Sequence, residues 1–210
     1  MPACQQRLGA GIEQLGLALP ADAEVKLLAF LQLLVRWNQA YNLTAVRQPL
    51  EMVSRHLLDS LAILPYIGAG PLLDVGSGAG LPGIPLAIAR PQLECSLLDS
   101  NGKKIRFIRQ AALELGLANL TPLHMRLEQL HSSRGFAQIT ARAFSDLGQL
   151  CRLASPLLAE QGEILALKGT FDTIAAETQS MNPEYLSVKP LSVPFLSEQQ
   201  RHLVIYRVAP

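Results

Sequence analysis

The chain has 210 residues, 49% of them hydrophobic and 17% charged, with a formal net charge of +1. This supports one α/β domain of ordinary size with a short extra segment and excludes wholesale disorder. Charges break the apolar stretches within about a dozen residues, too short for a bilayer span. With so little net charge, a nucleic-acid partner must meet local positive charge or be presented by another protein.

In chain order, the first third reads as helices. Asp22 is placed as an N-cap, and Val25, Leu27, Leu28, Leu31, Leu34 and Val35 follow at helical spacing to about Tyr41. Pro49 stands at the first position of the next helix, which carries Met52, Val53, Leu57, Ile63 and Leu64. Pro65 and the stretch Gly68-Ala-Gly-Pro71 close this section. The rhythm then changes. Leu72–Val75, Cys95–Leu98, Leu120–Met125, Phe136–Thr140 and Gly162–Leu167 read as strands. Between them lie helices at Ile84–Ala89, around Ile105, Ile108, Ala112 and Leu115, and from Leu147 to Leu158. Leu186–Leu191 and His202–Val208 read as a closing strand pair. Strands alternating with helices predict a doubly wound, mainly parallel sheet. Residues 1–66 are expected to form a helical segment packed on a domain spanning 67–210.

Cys4, Cys95 and Cys151 are isolated and odd in number. They are expected to be reduced thiols of a cytosolic chain rather than a disulfide framework. The N-terminal stretch Met1–Arg7 has no apolar core of a signal peptide. The four His residues lack the short Cys/His spacing of a zinc site, so no metal is expected. Nothing suggests an extensive apolar interface, and a monomer is expected.

The first strand ends at Asp74 and runs into Gly76, Gly78 and Gly80. Glycines there let the backbone bend sharply and approach a ligand without a Cβ in the way. In an open α/β sheet the ligand lies beyond the carboxyl ends of the strands. The dinucleotide fingerprint wants a third glycine three residues after the second, and that position is Leu81. No Lys-Ser/Thr follows, so the turn is not a P-loop. Asp74 is read as a carboxylate that accepts hydrogen bonds from a cationic ligand or from backbone N–H groups, and that repels a pyrophosphate. This favours S-adenosylmethionine, which carries an ammonium and a sulfonium but no phosphate, over NAD. Asp99 follows Gly76 by 23 residues at the end of the second strand. It is placed to hold ribose hydroxyls, or else it caps the helix that begins near Asn101. Leu127 and Glu128 follow the third strand, where a backbone N–H and a carboxylate can read adenine edges. Arg142 ends the fourth strand, and a charge there is hard to explain by packing unless it pairs with Glu128 or Asp74.

Several blocks resemble a known family. They are Trp37-Asn-Gln-Ala-Tyr-Asn-Leu-Thr44, Arg55-His-Leu-Leu-Asp-Ser60, Leu73-Asp-Val-Gly-Ser-Gly-Ala-Gly-Leu-Pro-Gly-Ile-Pro85, Leu98-Asp-Ser100 with Lys103 and Arg106, Arg142-Ala-Phe144 and Leu167-Lys-Gly169. In order and spacing they are similar to the bacterial small-subunit ribosomal RNA methyltransferase G family, also called glucose-inhibited division protein B. The resemblance implies a class I, Rossmann-like methyltransferase with a seven-stranded sheet and an N-terminal helical segment. It implies S-adenosylmethionine as cofactor and N7-methylation of one guanine in 16S rRNA, within the small ribosomal subunit or an assembly intermediate. It implies cofactor contacts at Gly76, Leu81, Leu127, Glu128 and Arg142. Family members often have an aromatic where this chain has Leu81.

Guanine N7 has an in-plane lone pair and no proton to lose, so in-line displacement needs positioning rather than a general base. The sequence fits this chemistry. No Asn/Asp-Pro-Pro-aromatic motif for an exocyclic amine and no Pro-Cys pair for a pyrimidine adduct follow the fourth strand. Candidates for RNA contact are Lys168, Asn42 and His56, each with a plainer reading as a surface charge, a turn residue and a helix-face histidine. Lys103, Lys104, Arg106 and Arg109 share a helix face that either binds phosphates or is simply solvated. A nicotinamide dehydrogenase and a non-catalytic assembly module remain the rival readings.

Overall fold

The computed structural model describes residues 1–142, 144, 146–179, 181–196 and 198–207. Helix α1 spans Pro2–Gln14 and buries Cys4, Leu8 and Ile12. Helix α2 spans Ala23–Tyr41 with Asp22 at its N-cap. The Asp22 carboxylate makes no capping bond and instead pairs with Lys26 one turn on. The chain then forms α3 (Pro49–Met52), a π-helical turn (Val53–Leu58) and α4 (Asp59–Leu61) in succession. Pro49 occupies the start of α3, where its missing N–H costs nothing. Helical periodicity in the sequence predicts this region as ordinary helix. The wide π register, with its extra residue in the turn, is a feature of the structure alone.

Strand β1 (Leu72–Val75) opens the α/β part, followed by α5 (Gly83–Ala89), β2 (Cys95–Asp99), α6 (Gly102–Glu114) and β3 (Leu120–His124). Then come β4 (Phe136–Arg142), α7 (Leu147–Ala154), β5 (Leu158–Lys168) and α8 (Phe171–Thr178). Strands β6 (Leu186–Pro190) and β7 (His202–Arg207) close the chain. The expected end of the last strand, Val208, lies outside the described residues. Strand β5 starts at Leu158, because α7 is shorter than its sequence pattern suggests and a 3₁₀ turn over Ser155–Leu157 carries the chain into the sheet.

The strands form one seven-stranded sheet in the order β3-β2-β1-β4-β5-β7-β6. Strands β1 to β5 pair in parallel, while β7 runs antiparallel to both β5 and β6. The order reverses between β1 and β4, so the switch point lies at the carboxyl end of β1.

Alternate residues of the central strands face opposite layers, as the pleat dictates. Leu72, Leu97, Leu165 and Leu203 join the larger core, under α1, α2, α5 and α6. Leu73, Leu98, Ile164 and Val204 join the smaller one, with Leu150 and Ile174 of α7 and α8. The N-terminal helices thus share a core with the sheet. Trp37 of α2 packs on Phe107 of α6 with ring centroids 5.6 Å apart, and Phe30 lies 6.1 Å from the same ring. Full burial of Phe30 and of Phe107 is worth about 1.5–3 kcal/mol each, with Trp37 partly buried against them.

Candidate functional site

The glycine turn begins where β1 leaves the sheet. Gly76, Gly78 and Gly80 adopt φ of +64°, +58° and +77°, the left-handed region that L side chains avoid. A Cβ on Gly80 would lie 2.3 Å from Ile84 Cδ1, whereas a Cβ on Gly76 would meet nothing within 4 Å. Gly80 therefore lets the turn close onto α5, while Gly76 borders open space.

Two carboxylates fasten this turn from below. Asp99 Oδ2 accepts from the Gly78 N–H at 2.9 Å, and its Oδ1 accepts from the Asn101 N–H at 2.8 Å. Asp74 Oδ2 accepts from the Gly83 N–H at 2.9 Å, and Thr140 Oγ1 lies 3.2 Å from its Oδ1. Asp74 is fully buried, and loss of water pushes its carboxyl up to about 7 despite these hydrogen bonds. Of its two expected partners, the backbone N–H is the one it takes. The expectation that Asp74 faces a cationic ligand or repels a pyrophosphate is corrected, because the side chain sits beneath the turn and not in a cavity.

A cavity of about 400 Å³ opens at the carboxyl ends of β1, β2 and β3. Val75, Gly76, Leu98, Asp99 and Leu127 line it, with Glu128, Met125, Phe144, Gln149 and Leu153 at its sides. Strand ends converge there because the three strands are parallel and neighbouring. Asp99 is only 5% exposed, and Lys104 Nζ stands 3.7 Å from it. The cap of α6 is Asn101, whose side chain accepts from the Lys103 N–H, so Asp99 is free of that duty. Gly76, Asp99, Leu127 and Glu128 are thereby brought together. Gly78 belongs to the turn above them. Leu81 is 2% exposed and lies in the larger core rather than along this cavity. Its size is set by packing there.

Arg142, expected at the cofactor or paired with Glu128 or Asp74, pairs with neither of those carboxylates. Its Nη1 donates to the Arg55 carbonyl at 3.1 Å and to Asp59 Oδ2 at 3.4 Å. Asp59 Oδ1 accepts from Arg201 Nε at 3.1 Å. His56 lies in the same π-helical turn and is 5% exposed. Its Nε2 is 2.9 Å from Thr44 Oγ1, and among the described residues its Nδ1 has no partner. Burial, with the Arg142 cation second, pulls its imidazole down to about 4, so it is neutral at physiological pH.

The other RNA candidates separate. Lys168 is 8% exposed, its Nζ donating to the Phe144 carbonyl and to Glu177 Oε2. It is not a surface charge, since α8, which the sequence pattern does not reveal, folds Glu177 over it. Asn42 ends α2 in the left-handed conformation and accepts from Arg47 Nη2 through Oδ1, a turn residue. Lys103, Arg106 and Arg109 are exposed on α6, opposite buried Ile105, Phe107 and Ile108.

Sequence reasoning missed Lys104, Met125, Gln149 and Leu153 at the cavity, and Asp59 and Arg201 at Arg142. Asp59 stood in the block Arg55–Ser60, which was the available signal. Gln149 and Leu153 reach the cavity only because α7 returns across the sheet.

A profile of the rRNA small subunit methyltransferase G family matches residues 23–204. The ribosomal RNA small subunit methyltransferase G of Chromohalobacter salexigens is 52% identical over 195 residues, covering 92% of each chain. That of Pseudomonas aeruginosa is 49% identical over 203 residues, covering 95% of this chain and 94% of its own. Among solved structures, a SAM-dependent methyltransferase from Aquifex aeolicus superposes with a TM-score of 0.56 at 13% identity, covering 73% of this chain and 91% of that one. The chain thus has the fold of S-adenosylmethionine-dependent methyltransferases and belongs to the rRNA small subunit methyltransferase G family.

Proposed function

We propose that this protein transfers the methyl group of S-adenosylmethionine to N7 of a single guanine in 16S rRNA, presented by the small ribosomal subunit or an assembly intermediate. The observation that carries the reading is the cavity at the ends of β1, β2 and β3, with Asp99 at its floor, in a chain of this family. The donor set fits the cofactor. Each Asp99 oxygen accepts one backbone N–H and keeps a lone pair for a ribose hydroxyl. Leu98, Met125, Leu127 and Leu153 offer apolar surface for a purine ring, with Glu128 at its edge. Gly76 leaves room for close approach of a ligand to backbone.

S-adenosylmethionine supplies an electrophilic methyl when bound. The protein's task is to hold the guanine so that the N7 lone pair points at that methyl, with water excluded. No side chain has to remove a proton, because N7 carries none. The exposed cations Lys103 and Arg106 are proposed to meet RNA phosphates. Charge reversal there flattens the salt dependence of particle binding if they do. Residues 1–66 act as a helical segment packed on the methyltransferase domain 67–210, and the protein works as a cytoplasmic monomer. In agreement, its three cysteines are free and buried, and no helix among the described residues is long and apolar enough to cross a membrane.

Incubation with labelled cofactor and undermethylated small subunits tests the reading. Label in 16S rRNA, with borohydride and aniline cleavage at one guanine, is expected. Absence of label would leave a non-catalytic module, and label without that cleavage would move the acceptor atom away from N7.

A further inference from the structure

Phe171, the first residue of α8, is 57% exposed, and its chain neighbours Thr170, Asp172 and Thr173 are exposed and polar. A lone phenylalanine on a surface needs no explanation by itself. This one differs from such a residue in how it is held, where it stands and what lies beside it.

The ring is held from both ends. The Phe171 N–H donates to Gln200 Oε1 at 3.3 Å, and the Thr170 hydroxyl caps the helix by accepting from the Thr173 N–H. The phenyl ring meets the His202 imidazole edge-on, with centroids 6.1 Å apart and planes at 63°. That imidazole is fixed in turn, its Nδ1 lying 2.6 Å from the Gly169 carbonyl. A carbonyl can only accept, so Nδ1 carries the proton. His202 also pairs with Lys168 across β5 and β7, which ties both rings to the sheet. A ring ordered in this way loses little freedom when a ligand settles on it.

Its place is the edge that carries the cofactor cavity. Val75, Ala141 and Ala166 lie in one row across β1, β4 and β5. Gly76 and Gly169 both follow that row at the carboxyl edge, two strand spacings or about 10 Å apart. The cavity takes the β1–β3 part of this edge, and the ring pair stands on the β5–β7 part. A nucleotide joined to a guanine at the glycine turn reaches Phe171 without leaving the edge.

The space beside the rings is open. Gly169 has a negative φ, so no left-handed conformation calls for glycine, and a Cβ there would meet nothing within 4 Å. Neither the backbone nor internal packing needs a bare residue at this point. The bare backbone leaves room for a flat ligand to approach.

We propose that Phe171, steadied by His202, is a stacking platform for an unpaired rRNA base that flanks the target guanine. Proteins read RNA chiefly through unstacked bases laid on aromatic side chains, and an exposed aromatic face accepts any base. A docked protein would ask for a contiguous apolar patch, whereas the residues around Phe171 are polar. The proposal rests on the reading of the chain as an rRNA methyltransferase.

The test uses the full-length protein on undermethylated small subunits, with parallel cofactor titration and thermal unfolding. One base–aromatic stack is worth roughly 5- to 150-fold in affinity. Phe171→Ala is therefore expected to raise KM for the particle at least about fivefold, while kcat and Kd for S-adenosylmethionine stay within about threefold. Phe171→Tyr keeps the aromatic face and is expected to stay within about twofold of wild type. Phe171→Leu keeps apolar bulk without that face and is expected to lose about as much as alanine. Near-native Tm is expected throughout, because the side chain is exposed. Should Phe171→Ala not fold, the comparison of leucine with tyrosine carries the test. Unchanged KM for Phe171→Ala or a loss matched by weaker cofactor binding would overturn the proposal. So would a leucine variant as good as tyrosine, which would mean an apolar contact with a ribosomal protein instead. If the wild-type protein transfers no methyl group to rRNA, the underlying reading fails, and this is seen before any variant is compared.

Discussion

Replacing Asp74 by Asn isolates the charge buried under the glycine turn. The carboxyl is fully buried, and its pKa stands at about 7 against an ordinary 3.8. That difference corresponds to about 4 kcal/mol of folding free energy. A group whose folded pKa is raised contributes stability that is fully present below the unfolded pKa and is lost as pH rises through the folded one. Here the loss runs from about pH 3.8 to about 7, at about 1.4 kcal/mol per pH unit, and is complete above. The hydrogen bonds explain why Asn suits the site. Oδ2 must accept from the Gly83 N–H, so the proton of the neutral acid lies on Oδ1 and is donated to Thr140 Oγ1, whose own hydrogen turns to the Leu73 carbonyl 3.4 Å away. The Asn side chain reproduces this pattern, oxygen for Oδ2 and NH₂ for the protonated Oδ1, without titrating. Chemical denaturation of both proteins between about pH 4.5 and 8 is the assay. The stability of wild type minus Asp74→Asn is expected to fall by about 3 kcal/mol over that range. Parallel curves would refute the reasoning and mean that Asp74 stays ionised.

Two glycines of the same turn are expected to fail differently. Gly80→Ala combines a φ of +77° with a Cβ 2.3 Å from Ile84 Cδ1, so unfolding experiments should show a loss of about 2–4 kcal/mol. Gly76→Ala meets no atom within 4 Å, but its Cβ enters the cavity. It should cost only about 1–2 kcal/mol of stability and weaken S-adenosylmethionine roughly tenfold in calorimetric titration. Unchanged affinity would remove Gly76 from the binding surface. Lys168→Met leaves the Glu177 carboxylate, 17% exposed, without its buried partner and should cost about 3 kcal/mol. Adding Glu177→Gln should recover part of the loss, with cofactor affinity unchanged throughout. Full stability of the single variant would show the pair to be idle.

Much of the fold was readable from local pattern. Period-two and period-3.6 apolar spacing located all seven strands and the helices α2, α5, α6 and α7 to within a few residues. Residues such as Gly76, Asp99 and Leu127 were found because they follow strands, and the carboxyl ends of neighbouring parallel strands meet. The helix α8 escaped, being short and only weakly apolar on one face, with Ile174 its single buried residue. The π-helical turn escaped because Val53, Leu57 and Leu58 satisfy ordinary helical spacing equally well.

What the amino-acid sequence determined by itself was the order of elements, the glycine turn and the family. These depend on residues close in the chain, where spacing alone constrains geometry. Tertiary structure decided which charges are charged and whom they meet. Arg142 finds Asp59 across 83 residues, and Arg201 reaches the same carboxylate across 142. Asp74 loses its acidity and His56 its basicity through burial that no local pattern records. Partners that distant are chosen by topology, and the cost of desolvation is set by everything packed around a group rather than by its neighbours in sequence.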